Sequence, residues 1–223
     1  MKKNYYAKIF TLLFLIFSYS GLKAQDVLII YDDSPSNINT VSLANALTAS
    51  GMQVSFSQVS ESLWDNTNPS LNDIDAVIHL NGTTYNSQMP IAGQLALSNF
   101  VENDKGLYVG FEWNAYQAGN GQMQSMIDLI LFDRVSGTGG ALTYDVVPAQ
   151  SGNPVMNGVS PSFNINAASN IGNIRTFSSN PSTVIMTSNT DDAVALRDFG
   201  TGHILGFHNA GNYGGFAPLS NTE

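Results

Sequence analysis

Asp26-Val27-Leu28-Ile29-Ile30-Tyr31-Asp32-Asp33 decides the fold. Five apolar residues run without interruption between acids, the pattern of a strand buried on both faces, as in a parallel sheet. Asp33-Ser34-Pro35-Ser36 then supplies turn chemistry and helix caps. Val41, Leu43, Ala44 and Leu47 recur at helical spacing, with Gly51 as a C-terminal stop. Met52-Gln53-Val54-Ser55-Phe56-Ser57 is a second strand, so residues 26–57 read as a βαβ unit with parallel strands.

The alternation continues outward. Asp75–Leu80 reads as a third strand ending in Asn81-Gly82. Ile91, Leu95, Leu97, Phe100 and Val101 mark a helix begun by Pro90, and Gly106–Phe111 reads as a fourth strand. Met123, Met126, Ile127, Ile130 and Leu131 predict another helix. Residues 138–190 turn rich in Asn, Ser, Gly and Pro, with short β-like pieces at Leu142–Val147 and Thr183–Thr187. Ala193–Arg197 and His203–Phe207 read as a closing hairpin about Gly200-Thr201-Gly202. The expected fold is α/β: a doubly wound, mostly parallel open sheet carrying a β-rich insertion in its second half.

Upstream, Met1-Lys2-Lys3 and the apolar run Ile9–Phe17 precede Ser18–Ala24, the pattern of a secretory signal peptide cut after Ala24. The run is shorter than the roughly 20 residues a membrane span needs. The expected organisation is a signal peptide, 1–24, and one domain, 25–223, of a secreted protein without membrane insertion. Loss of Lys2, Lys3, Lys8 and Lys23 leaves 4 of the 8 basic residues against 17 acidic ones, and the net charge falls from −9 to −13. Lys105, Arg134, Arg175 and Arg197 are too few and too scattered to neutralise a nucleic-acid backbone. The sequence has no cysteine, which removes disulfides, thiolate nucleophiles and thiolate-bound metals. Ser220-Asn221-Thr222-Glu223 fits a capping box and announces a helix. The domain is therefore expected to be truncated at its C-terminal helix, with further domains in the same gene product.

Ligands of open parallel sheets bind beyond the carboxyl ends of the strands. Asp32, Asp33, Asn81, Glu112, Trp113, Asn114, His208 and Asn209 stand there. Tyr116, Tyr85 and Tyr213 add aromatic faces, and this mixture of rings and amides suits a polar or carbohydrate-like ligand. Asp32 and Asp33 read as helix caps before they read as cation ligands, since no Asp-x-Asp loop follows. No metal or other cofactor is expected. His79, closing an apolar strand, reads as structural.

Gly106–Asn114 resembles the strand and sharp turn that carry the nucleophile in class I glutamine amidotransferase-like domains. Gly202–Asn209 resembles the strand that delivers their catalytic His, and Asn153-Pro154-Val155-Met156-Asn157-Gly158-Val159 resembles a segment of the branch similar to trehalose-utilisation proteins. The resemblance spans roughly residues 26–215 and implies a flavodoxin-like, amidotransferase-like fold. It also implies a departure in function. The nucleophilic Cys would fall at Glu112, or at Trp113 if the alignment slips by one, and the Glu that follows the His is replaced by Asn209 and Ala210. The expected product is a catalytically degenerate binding or structural module, without glutaminase activity. The alternative is a secreted hydrolase of carbohydrate-like substrates using Glu112 and His208 as an acid/base pair.

Overall fold

The computed structural model describes residues 25–137, 142–165, 170–175 and 178–210. The predicted signal peptide, the capping box at Ser220–Glu223 and Tyr213 lie outside the described residues.

The first unit is β1 (Asp26–Ile30), α1 (Ile38–Ala49) and β2 (Gln53–Phe56), with β1 and β2 parallel. Asn37 caps α1 by accepting from the Asn39 N–H at 2.9 Å. The helix gives way to Gly51 at φ 89°, a left-handed conformation a side chain would strain. β3 (Ala76–His79) adds beside β1, α2 (Ile91–Glu102) crosses over, and β4 (Leu107–Gly110) pairs in parallel with β3.

Beyond β4 the chain departs from the expected pattern. α3 (Glu112–Gly119) starts immediately after Phe111. The helix predicted over Met123–Leu131 is instead a 3₁₀ stretch, Gln124–Leu129, broken at Met126. Its apolar residues are spaced for burial under α2 rather than for an α-helical stripe; Met123, Met126 and Leu129 join the core that Leu97 and Phe100 enter from α2.

The second half supplies β5 (Phe132–Gly137), β6 (Leu142–Val146), β7 (Ser162–Ile165), β8 (Asn170–Ile174), β9 (Thr183–Ser188), β10 (Asp191–Phe199) and β11 (Gly202–Phe207). The main sheet has the order β2-β1-β3-β4-β11-β10-β9-β6-β7, and β5 and β8 form a separate antiparallel ribbon. The sheet is large and mixed, with the expected parallel strands forming its first half. β2, β1, β3, β4 and β11 are parallel, while β10, β9, β6 and β7 follow by antiparallel pairing. The predicted hairpin is β10–β11, and β11 returns to lie beside β4.

Strand alternation divides the core. Leu28, Ile30, Val77, Tyr108 and Ile204 face α2, Trp64 and the 3₁₀ stretch. Val27, Ile29, Ile78 and Val109 face Leu43 and Ala44 of α1. Each fully buried Leu or Ile contributes about 1.5–3 kcal/mol, so this alternation fixes which residues at the strand ends share a side.

Candidate functional site

The strand register assembles the site. Ile30 pairs with His79, Ile78 with Val109 and Gly206 with Gly110. Continuing each ladder by two or three residues brings Asp32, Asn81, Glu112 and His208 to one level across four neighbouring strands. By alternation they lie on the α2 side. The adjacency persists past the regular strands, because the Glu112 N–H donates to the Asn209 carbonyl at 3.0 Å.

Glu112 is the first residue of α3 and is fully buried. Arg134, from β5, places Nε 3.0 Å from Glu112 Oε1. The other carboxylate oxygen has no hydrogen-bond partner among the described residues. Burial pushes the carboxyl up to about 8, against the opposing pull of Arg134. The Arg134 guanidinium lies 4.6 Å from the Tyr116 ring centre and 5.2 Å from that of Trp113. Tyr85 completes the group, 5.1 Å from Trp113 and 5.5 Å from Tyr116. Trp113 is buried, whereas Tyr85, Tyr116 and Arg134 are half-exposed.

His208 is fully buried, between Tyr144 at 5.4 Å and Phe132 at 6.4 Å. Burial lowers its pKa to about 4, opposed by the charge of Asp191 and the Gly172 backbone. Among the described residues, neither ring nitrogen has a partner at hydrogen-bond geometry, and no hydrogen bond or ion pair joins His208 to Glu112. Gly206 makes the close packing here possible: a Cβ on it would stand 2.8 Å from the Phe132 ring. The ribbon is tied down over the strand end by the Gly172 N–H, which donates to the His208 carbonyl at 2.9 Å.

Asn81, Asn114 and Asn209 are buried nearby. Asn209 Oδ1 accepts from the Tyr144 hydroxyl at 2.9 Å, while its Nδ2 has no partner. Both amide atoms of Asn81 and Oδ1 of Asn114 are also buried without one among the described residues. Asn114 borders a cavity of about 10 Å³ beside Tyr108 and Phe132, room for about one water.

The two aspartates separate. Asp32 is buried and accepts from the backbone N–H groups of Thr83 and Thr84, the latter at 2.9 Å, and from the Thr84 hydroxyl at 2.7 Å. It clamps the loop that carries Tyr85. Asp33 is exposed and turns the chain toward α1, accepting from the Ser34 N–H at 2.7 Å. Among the described residues, no group of three or more His, Asp or Glu side chains is placed to hold a metal ion.

Sequence reasoning missed Glu61. It is buried, and its Oε1 lies 3.1 Å from His79 Nε2, while His79 Nδ1 lies 2.8 Å from the Tyr108 hydroxyl. The Asn114 amide donates to the same hydroxyl at 3.2 Å. Asn114, Tyr108, His79 and Glu61 thus form one buried hydrogen-bonded chain. Burial raises the Glu61 pKa, partly offset by its hydrogen bond and charge interaction with His79. Arg134 was also missed as a site residue, although it is one of only four basic residues after position 24.

A wider groove of about 960 Å³ lies at the opposite end of the strands, among Asp75, Leu107 and His203. Its polar groups pair locally, as Asp198 does with His203 at 2.7 Å.

No family model matches the chain, and no curated protein is similar to it in sequence. Solved structures are similar in fold. A ThuA-like protein from Bacteroides uniformis superposes with a TM-score of 0.55 at 16% identity, over 89% of each chain. A ThuA-like protein from Parabacteroides merdae gives 0.55 at 13% identity, over 83% of this chain and 79% of that one. The cold-adapted β-galactosidase from Rahnella gives 0.59 at 15% identity, over 97% of this chain but only 33% of the enzyme. At these identities the likeness is one of fold alone: the chain shares the α/β fold of the ThuA-like proteins.

Proposed function

We propose that this domain is an exported, catalytically degenerate member of the amidotransferase-like fold that binds a small polar, sugar-like ligand at the carboxyl ends of its central strands. One observation carries the reading: Asn81, Glu112, Asn114, His208 and Asn209 are buried together, and each keeps at least one polar atom with no partner among the described residues. Such groups cost about 1–3 kcal/mol each when left unsatisfied, and a ligand rich in hydroxyls both donates to and accepts from them. The rings of Tyr85, Trp113 and Tyr116 supply the stacking surface. A fold of this kind accounting for one third of a β-galactosidase supports a sugar-related setting within a larger protein. Glutamine hydrolysis is not supported, because a carboxylate at position 112 cannot form the thioester.

Titration by NMR against a panel of neutral monosaccharides tests the reading. Saturable shifts at Asn81, Trp113 and Asn114 are expected, and their absence for every sugar overturns it. Export is tested by the mass of the protein recovered outside the cytoplasm, expected to begin at Gln25.

The hydrolytic alternative draws support from the divergence of Glu112, near 8, and His208, near 4, since groups pushed apart in this way can divide acid and base roles. The absence of a hydrogen bond between them and their complete burial favour binding over turnover. Release of the leaving group from aryl glycosides, lost in Glu112→Gln, would reverse that preference.

A further inference from the structure

We propose that the ligand of this site is an amino sugar, whose ammonium group takes the place that the Arg134 guanidinium occupies between the aromatic rings and Glu112. The inference rests on the reading of the strand ends as a pocket for sugar-like molecules, and it adds a charge to that ligand.

The geometry is that of a cation site whose occupant belongs to the protein. Arg134 stands within 5.2 Å of two ring centres, over the faces of Tyr116 and Trp113, and Tyr85 closes the group from the loop held by Asp32. Aromatic faces attract cations through their quadrupole, and the attraction grows as water is excluded. Beneath the guanidinium lies a wholly buried carboxylate with one oxygen still unpartnered. Rings above an acid recognise an organic cation; they add nothing specific for a neutral polyol beyond stacking. The Arg134 side chain is 27% exposed while Glu112 is not exposed at all, so the arginine is the outermost part of the assembly and the part a solute meets first. It comes from the β5–β8 ribbon, whereas Glu112 opens α3, so the exchange asks only the arginine side chain to swing outward while the ribbon stays tied to the strand end. The buried amides of Asn81 and Asn114 offer the donors and acceptors that ring hydroxyls need.

Protonation is consistent with this exchange. Beside Arg134, which reaches only one of its oxygens, Glu112 holds its proton up to about pH 8; an ammonium group that engages both oxygens favours the ionised carboxylate further, and the proton leaves to solvent. Binding of an amino sugar therefore releases a proton, and binding of the matching neutral sugar does not.

The test compares glucosamine, glucose and N-acetylglucosamine, followed by Trp113 indole NMR and by calorimetry in buffers of different ionisation enthalpy. With the wild-type protein, glucosamine is expected to bind at least tenfold more tightly than the two uncharged sugars. Only its heat should depend on the buffer. Arg134→Ala should strengthen glucosamine binding, and Arg134→Gln, which keeps the bulk of the side chain, should do so less. Glu112→Gln should bring the three sugars to within a few-fold of one another. Equal affinities for glucose and glucosamine in both the wild-type protein and Arg134→Gln would overturn the amino-sugar inference while leaving the sugar-binding reading intact. Failure of all three sugars to bind would overturn both.

Discussion

The Tyr108 hydroxyl lies 2.8 Å from His79 Nδ1, and this contact ties the middle of β4 to the end of β3 inside a fully buried row of polar side chains. Tyr108→Phe keeps the ring and removes the oxygen on which both His79 and Asn114 depend. Loss of about 1–3 kcal/mol is expected, the penalty for stranding buried polar groups. Urea denaturation measures it, and the His79 ring ¹⁵N shifts should change as Nδ1 loses its partner.

Alkaline stability tests Glu112. Its carboxyl is raised from 4.5 to about 8 in the folded protein. The unfolded chain therefore releases this proton first, and the contribution of Glu112 to stability is full below about pH 4.5 and is lost as pH rises toward 8. The loss amounts to a few kcal/mol, on the order of 1.4 per pKa unit. Glu112→Gln should flatten this part of the profile and be more stable than the wild-type protein above pH 8. Thermal melts across the range decide the matter; parallel curves for the two proteins would contradict it.

His208 acts at the other end of the scale. Its folded pKa is lowered from 6.5 to about 4, so the unfolded chain takes up a proton first as pH falls. Stability present above pH 6.5 is lost on the way down to 4, again by about 1.4 kcal/mol per unit. His208→Gln should remove most of that acid-side slope. An unchanged slope in guanidinium midpoints between pH 7 and 4 would show that His208 is not the responsible group.

Asp32→Asn should loosen the loop that presents Tyr85. The carboxylate takes three hydrogen bonds from Thr83 and Thr84, and bonds to a charged acceptor contribute about 1.5–3 kcal/mol each. Amide exchange at Thr83 and Thr84 should accelerate at least tenfold, while exchange in β1 stays slow.

Gly206→Ala places a methyl group 2.8 Å from the Phe132 ring and 3.0 Å from Leu131 Cβ. Displacement of the β5 segment should cost about 1–3 kcal/mol. A drop in midpoint with unchanged far-ultraviolet circular dichroism would identify repacking rather than unfolding.

The parallel half of the fold was legible because buried parallel strands are written as continuous apolar runs, as in Val27–Ile30. α3 was not legible: Glu112, Trp113, Asn114 and Gln117 are buried polar or amphipathic residues with no apolar period, and their burial comes from β5 and the strand ends. The Met123–Leu131 stretch misled for the converse reason, since apolar spacing there reflects the surface of α2. The sequence placed Asp32, Asn81, Glu112 and His208 at strand ends, and the register puts them on one level. It did not show that Asp32 is occupied by its own loop, nor that Glu61 and Arg134 approach from segments distant in the chain. Such meetings depend on tertiary contacts that no local pattern encodes.

The seam between β4 and β11 has a consequence for how the molecule comes into being. Leu107 pairs with His203, so β4 stays an open edge while everything between them is synthesised. A chain folded only as far as β9 carries a four-stranded parallel sheet whose β4 border lacks its partner, and β9 and β6 lack the β10 strand that joins them to it. Distant pairings of this kind form slowly, and open borders invite other chains. Chains in which β11 has not yet docked should thus be the aggregation-prone species during folding, and that tendency should end once the β10–β11 hairpin has closed on β4.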